Sequence, residues 1–181
     1  MIFMNYIIFD LEATCWENDR TKQNEIIEIG AVKMNTKLEF VDEFQTFIKP
    51  KVHPWLSDFC KELTSITQEN VNAAPYFPQA IGKFQEWIGK EDYFLCSWGF
   101  YDKSQLKKDC ELNRVRQEWI KNHISIKHQH GKMIGNERGV GMERALHMLK
   151  LQLDGTHHRG IDDARNIAKI FIKIFDKLEL Q

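Results

Sequence analysis

The densest apolar run near the start of the chain, Tyr6-Ile7-Ile8-Phe9, offers solvent no polar position and reads as a β-strand covered on both faces, from about Asn5 to Ala13. Acids then interrupt it. Within the stretch Ile7 to Thr14, a period of two sends the side chains of Asp10 and Glu12 to the same side of the strand. Close like charges raise each other's pKa and repel, so the pair makes sense where cations, divalent metals above all, share the site. The same residues also permit a plainer reading, with Asp10 capping a turn and Glu12 solvated beyond the strand end.

Two further strands are expected, about Ile26 to Met34 and about Glu39 to Ile48, continuing the first as an antiparallel meander. Asn35 and Thr36 supply turn chemistry between them, and Trp16 to Asn24 forms a polar loop overhanging the carboxylates. Lys49-Pro50 closes the third strand, because proline cannot continue the ladder. From Trp55 the spacing becomes helical, and Phe77, Ile81, Phe84 and Ile88 share one face of a helix that Gly89 can end. Tyr93 to Trp98 reads as a fourth strand. A helix from about Asp102 to Asn113 follows, burying Leu106 and Cys110, so Asp102 sits where strand gives way to helix.

A short fifth strand, about His123 to Ile126, leads into a polar region ending in Gly135, Gly139 and Gly141. Gly139-Val140-Gly141 is too short for a phosphate loop and marks the start of a helix. That helix, about Met142 to Leu151, buries Met142, Ala145, Leu146 and Leu149. The last, about Asp162 to Leu178, carries Ala164, Ile167, Ala168, Phe171, Ile174, Phe175 and Leu178 on one stripe. Three strands followed by alternating strand and helix give an α/β fold with a mixed five-stranded sheet flanked by helices.

Composition narrows the picture. A chain of 181 residues, 43% hydrophobic, can bury a full core, and one domain over 1–181 is expected. Its 25 Lys plus Arg balance 26 Asp plus Glu for a net charge of -1, which excludes a bulk basic attraction to nucleic acid and leaves any polyanion to a local patch. Cys15, Cys60, Cys96 and Cys110 lie far apart without a Cys-x-x-Cys pair and read as reduced, mostly buried thiols. No apolar run is long enough to span a bilayer, and no basic-then-apolar leader opens the chain. A soluble cytoplasmic protein without membrane association is expected, with no protein partner indicated.

A second charged cluster, His157-His158-Arg159-Gly160-Ile161-Asp162-Asp163-Ala164, falls at a loop-to-helix junction. An acid in the first turn of the last helix could simply complement the helix dipole. That does not account for the whole cluster. With five residues between them, His158 and Asp163 could face one cavity as a base beside a metal ligand.

These residues together resemble a family. Asp10-x-Glu12, Asp102 after a strand, and His158 five residues before Asp163 resemble the three exonuclease motifs of the DEDDh 3′-to-5′ exonucleases. The chain looks most like the branch holding the RNA-interference-limiting and histone-mRNA-trimming exoribonucleases and the bacterial KapD-type proteins. Phe9-Asp10-Leu11-Glu12-Ala13-Thr14-Cys15, Glu25-Ile26-Ile27-Glu28-Ile29-Gly30, Leu56-Ser57-Asp58-Phe59-Cys60, Leu63-Thr64-x-Ile66-Thr67-Gln68 and His158 through Ala168 carry the likeness, which covers essentially the whole chain. Order and spacing together, rather than any single motif, make it specific.

The resemblance implies a ribonuclease H-like fold and a two-metal-ion 3′-to-5′ exonuclease releasing nucleoside 5′-monophosphates from single-stranded RNA 3′ ends. It implies that Asp10, Glu12, Asp102 and Asp163 hold two Mg²⁺ or Mn²⁺ ions and that His158 is the general base. Glu12 and the backbone of Ala13 and Thr14 would contact the substrate 3′-OH. Phe59 and Tyr101 would sandwich the terminal base, a mode that tolerates any sequence; relatives can carry Trp where this chain has Tyr101. Single-stranded DNA is the alternative substrate, and a non-cleaving nucleic-acid-binding module of the same fold is the alternative role, against which the intact acid set argues. Outside these positions, His157 and Arg159 either touch phosphates or are merely exposed, Lys103, Lys107 and Lys108 meet backbone charge or form a solvated helix face, Asp162 is a cap or supports the site, and Glu28 either pairs with a neighbour or backs the metal ligands.

Overall fold

A computed structural model describes residues 4–19 and 21–179. The doubly covered first strand stands at its centre. β1 (Met4–Ala13), β2 (Ile26–Asn35) and β3 (Phe40–Phe47) form the antiparallel meander, while β4 (Asp92–Ser97) lies parallel to the other side of β1 and β5 (His123–Ser125) parallel to β4. The order β3-β2-β1-β4-β5 makes the expected mixed five-stranded sheet.

Helices cover both faces: α1 (Asp58–Thr64), α2 (Gln68–Asn72), α3 (Phe77–Ile88), α4 (Tyr101–Leu112), α5 (Ile126–Met133), α6 (Met142–Met148) and α7 (Gly160–Ile174), the last continued by a 3-10 turn over Phe175–Lys177. Ile7, Phe9 and Leu11 of β1 pack with Phe77, Ile81 and Phe84 of α3, whereas Tyr6 and Ile8 pack on the other face with Ile167, Phe171 and Ile174 of α7. Alternation therefore places Asp10 and Glu12 on the α7 face.

Several boundaries differ from the sequence reading. α5 occupies the stretch read as polar, because its buried residues are only Ile126, His130 and Gly131 and leave no apolar stripe to read. Ile126 belongs to that helix, so β5 ends at Ser125. β3 starts at Phe40, the α4 helix starts one residue before Asp102, and α6 stops at Met148 with Leu149 as its C-cap. α7 starts two residues before Asp162 and tightens after Ile174, so Phe175 and Leu178 only flank the core they were expected to enter. Gly89 does end α3, with φ of 89°.

One contact fixes how α7 meets the sheet. Gly30 of β2 is paired with Asp10 of β1, and a Cβ built on Gly30 would overlap the backbone of Gly160 and Ile161. A Cβ on Gly160 would in turn lie 3.1 Å from the Gly30 nitrogen and 3.2 Å from the Asp10 carbonyl oxygen. Two glycines thus let a helix start touch strand backbone. Beside them the fully buried Glu28 accepts hydrogen bonds from the Gly160 N–H (3.0 Å), from Arg159 Nε and Nη2 (3.2 Å each) and from Gln45 Nε2 (2.6 Å). Buried charge is tolerable here because it is paired and fully hydrogen-bonded.

Gly30→Ala is expected to lower stability by ~3 kcal/mol, since the opposing atoms are backbone and cannot rotate away, and Gly160→Ala by less. Urea unfolding of the two variants measures this; equal midpoints for Gly30→Ala and the parent protein would contradict the close approach.

Candidate active site

Four carboxylates reach one cleft from three elements. β1 supplies Asp10 and Glu12, the first turn of α4 supplies Asp102, and the first turn of α7 supplies Asp163. The cleft has a volume of about 540 Å³, and His157, His158 and Tyr101 also line it. A hollow of similar size elsewhere, lined by Gln45, Phe47, Glu69 and Pro75 among others, has no comparable convergence of acids, so chemistry rather than size singles out the cleft.

Oxygens of Asp10, Glu12 and Asp163 lie within 4.8 Å of one another. The acids respond as crowded like charges do. Burial, followed by the charges of Asp102, Glu12, Asp163 and Glu28, pushes the Asp10 carboxyl well above the ordinary carboxylate range. Burial and then Asp163, Glu28 and Asp102 push Glu12 up to about 8. Asp102 is raised by burial to about 6, with hydrogen bonds from the Ser97 side chain and from the backbone of Asp102 and Leu11 holding it down. A carboxylate set that resists ionisation when alone, with oxygens close enough to share an ion, fits hard divalent cations.

Asp163 is held in place by the loop before it. Its carboxylate accepts the His158 N–H at 3.0 Å and lies 3.0 and 3.1 Å from His157 Nδ1. The two imidazoles stack with centroids 4.0 Å apart. His158 has φ of 63°, a left-handed conformation uncommon for a non-glycine residue and one that turns the chain toward the site. Burial and the neighbouring His157 lower the His158 pKa, which favours the neutral imidazole.

The remaining expected contacts divide. Tyr101 is 54% exposed at the cleft. Phe59, half-buried in α1, is not among the lining residues, nor are Ala13 and Thr14. The Thr14 N–H donates to the Glu25 carbonyl at 2.8 Å and its carbonyl accepts from Asn24 Nδ2, tying the end of β1 to the segment entering β2. Arg159 pairs with Glu28 and lies over the Phe47 ring, 5.3 Å from its centroid. Asp162 accepts from the Thr156 N–H and pairs with Arg165, so it supports the loop. Lys103, Lys107 and Lys108 do not line the cleft.

Sequence reasoning left Glu28 undecided and passed over Trp98, Phe100, Lys127 and His128, which line the cleft. The signal for Glu28 lay in register: it pairs across the ladder with Glu12. Phe100, next to Tyr101 and 53% exposed, could have been noticed as a second aromatic at the same junction.

Comparison with known proteins places this arrangement. Residues 7–171 match the model of the family described as RNase_T: Exonuclease. The chain is 35% identical to 3'-5' exoribonuclease 1 of Rattus norvegicus over 192 residues, covering 99% of the chain and 56% of the relative, and 36% identical to the Homo sapiens protein of that name, covering 99% and 55%. It therefore spans little more than half the length of these relatives. The crystal structure of the nuclease domain of 3'hExo, a DEDDh family member bound to rAMP, superimposes with a TM-score of 0.89 at 32% identity, covering 99% of this chain and 96% of that one. The sheet and its helices are accordingly a ribonuclease H-like fold, and the chain belongs to the exonuclease family of the RNase T type.

Proposed function

We propose that this chain is a two-metal-ion 3′-to-5′ exonuclease, one exonuclease unit over 1–181, that removes nucleoside 5′-monophosphates from single-stranded RNA 3′ ends. The observation that carries it is the convergence of Asp10, Glu12, Asp102 and Asp163 on one cleft beside His158. Asp10, Glu12, Asp102 and Asp163 would hold two Mg²⁺ or Mn²⁺ ions, which when bound neutralise phosphoryl charge and favour ionisation of water. His158 accepts the proton of the attacking water at an imidazole nitrogen, the phosphorus–oxygen bond to the penultimate nucleotide breaks, and its 3′ oxygen leaves. Glu12 and the Ala13 backbone face the terminal hydroxyls, while Thr14 acts indirectly by fixing the strand end. Tyr101 stacks on the terminal base, with Phe59 as the second ring. Support for Phe59 comes from its neighbour Cys60, whose Sγ donates to the Ala13 carbonyl at 3.7 Å and ties α1 to the end of β1.

RNA is favoured because the relatives are named exoribonucleases and a 32% identical nuclease domain is bound to rAMP. The free state of Cys15, Cys60, Cys96 and Cys110 supports a reducing, cytoplasmic setting. Among the described residues no helix is long and apolar enough to cross a membrane.

With 5′-labelled RNA and DNA in Mg²⁺ or Mn²⁺, the protein is expected to produce a ladder shortening from the 3′ end, faster on RNA. Binding without a ladder in either metal would favour a non-cleaving module. Asp10→Ala and Asp163→Ala are expected to remain folded and lose the ladder, and His158→Ala to slow it by roughly 10²-fold to 10⁴-fold. Robust cleavage by either aspartate variant would overturn the site.

The raised carboxylates also set a pH dependence. A carboxyl whose folded pKa lies above its unfolded value loses stability as pH rises between the two, because the unfolded chain releases the proton first. For Glu12 that window runs from about 4.5 to about 8. His123, lowered by burial to about 4, acts oppositely but is complete above 6.5, whereas Cys60, lowered to about 7 chiefly by its hydrogen bond with Cys15, opposes the carboxylates between about 7 and 9. In a Cys60→Ala variant, which removes that opposing titration, the metal-free protein is expected to lose ~2 kcal/mol between pH 6.5 and 8.5, most of it restored by saturating Mg²⁺. Asp10→Asn should be more stable than the parent protein at pH 8 in chelator. Urea titrations at both pH values, with and without Mg²⁺, measure these effects; a metal-free stability of the Cys60→Ala variant that rises over this window would contradict the assignment.

A further inference from the structure

Phe100 is the first residue ahead of α4, and its ring is 53% exposed at the rim of the acid cleft, next to the equally exposed Tyr101. The ring is not loose. It lies against His128 with centroids 4.6 Å apart and planes 32° from parallel, and His128 is itself fixed by a 2.6 Å hydrogen bond between its Nδ1 and Ser125 Oγ. His123 is a second neighbour of the ring, 5.9 Å from Phe100, with its Nε2 2.9 Å from Ser97 Oγ.

Phe100 and His128 belong to two concavities at once. On one side is the acid cleft; on the other is a groove of about 270 Å³ whose lining includes Asn122, His123, Gln129 and Lys132. The His123 Nδ1 atom is buried and has no hydrogen-bond partner among the described residues. Lys132 is paired with Glu179, so the cation available at the junction is Lys127, which lines the cleft beside His128. A flat, supported aromatic ledge between an acidic cleft and a polar groove, with a lysine at the crossing, matches the alternation of base, phosphate and base in a single strand.

We propose that Phe100, backed by His128, is the stacking ledge for the second nucleobase from the substrate's 3′ end, and that the adjoining groove receives the strand upstream of it. This rests on the exonuclease reading, which accounts for the terminal nucleotide through Tyr101 but leaves the next one without a seat. Lys127 meets the phosphate between those upstream bases. The contact is to the base face, so it favours unpaired ends without selecting a sequence.

The test compares the parent protein, Phe100→Ala and Phe100→Trp on two 5′-labelled single-stranded RNAs, identical except that one lacks the base second from the 3′ end. On intact RNA, Phe100→Ala is expected to raise KM by about 5-fold to 100-fold, the range that stacking of one base spans, with kcat changed less than about 3-fold, and Phe100→Trp to restore KM. Removing the base should raise KM similarly for the parent protein and add little for Phe100→Ala, because both changes delete the same contact. Circular dichroism melting confirms that the variants are folded. Unchanged KM for Phe100→Ala, or an abasic penalty that persists undiminished in it, overturns the ledge while leaving the exonuclease intact. Failure of the parent protein to cleave or bind either RNA overturns the exonuclease reading and the ledge together.

Discussion

Everything at the site depends on how closely α7 can approach the sheet. Asp163 stands on the first turn of a helix and Asp10 on the central strand, so their oxygens meet only if the helix start lies almost on the strand backbone. Gly30 and Gly160 permit that approach by omission, because any side chain at Gly30 would occupy the volume of the Gly160 and Ile161 backbone. Glu28 then fixes it, binding the Gly160 N–H and the Arg159 guanidinium from a fully buried position. The interaction combines two roles: it satisfies an orphan N–H at the helix start and aims the loop carrying His157 and His158.

The same packing concentrates negative charge beyond what burial favours. Asp10, Glu12 and Asp102 all have raised pKa values, with burial as the first cause and each other's charge among the rest. Glu28 contributes to the rise at Asp10 and Glu12 while its own carboxylate is paired with Arg159. A fold optimised only for stability would replace one of these acids with an amide. The apolar packing of Ile8, Phe171 and their neighbours supports a cluster that is locally unfavourable without cations, the pattern expected where function and stability compete.

What could be read from sequence followed from local physics. The apolar density of Tyr6 to Phe9 announced a doubly covered strand, and period two placed Asp10 and Glu12 on one side of it. The stripe from Ala164 to Ile174 announced α7, and the motif order announced the family. Features that arise between distant segments were not legible. Arg159 and Glu28 are 131 positions apart, and nothing local distinguishes that arginine from an exposed phosphate ligand. The hydrogen bonds that join Thr14 to Glu25 and Asn24 likewise bridge separate segments of the chain. α5 escaped notice because a helix with His130 and Gly131 among its buried residues has no hydrophobic period.

Sheet topology accounts for the gradient of chemistry across the site. β1, β4 and β5 are parallel neighbours, so their carboxyl ends open on the same edge, where parallel sheets commonly present ligand-binding groups. Each strand contributes something different there. β1 ends in Asp10 and Glu12, β4 leads into Phe100, Tyr101 and Asp102, and β5 leads into Lys127 and His128. Moving from strand to strand, the edge therefore passes from carboxylates through aromatic rings to a lysine. A polyanion could not bind across such an edge in either sense with equal energy: its end reaches the carboxylates only where metal charge compensates them, and its continuing backbone is favoured over the basic side. If the chain has the proposed exonuclease activity, strand order gives its substrate a polarity, with the reacting terminus at β1 and the rest of the strand departing over β5.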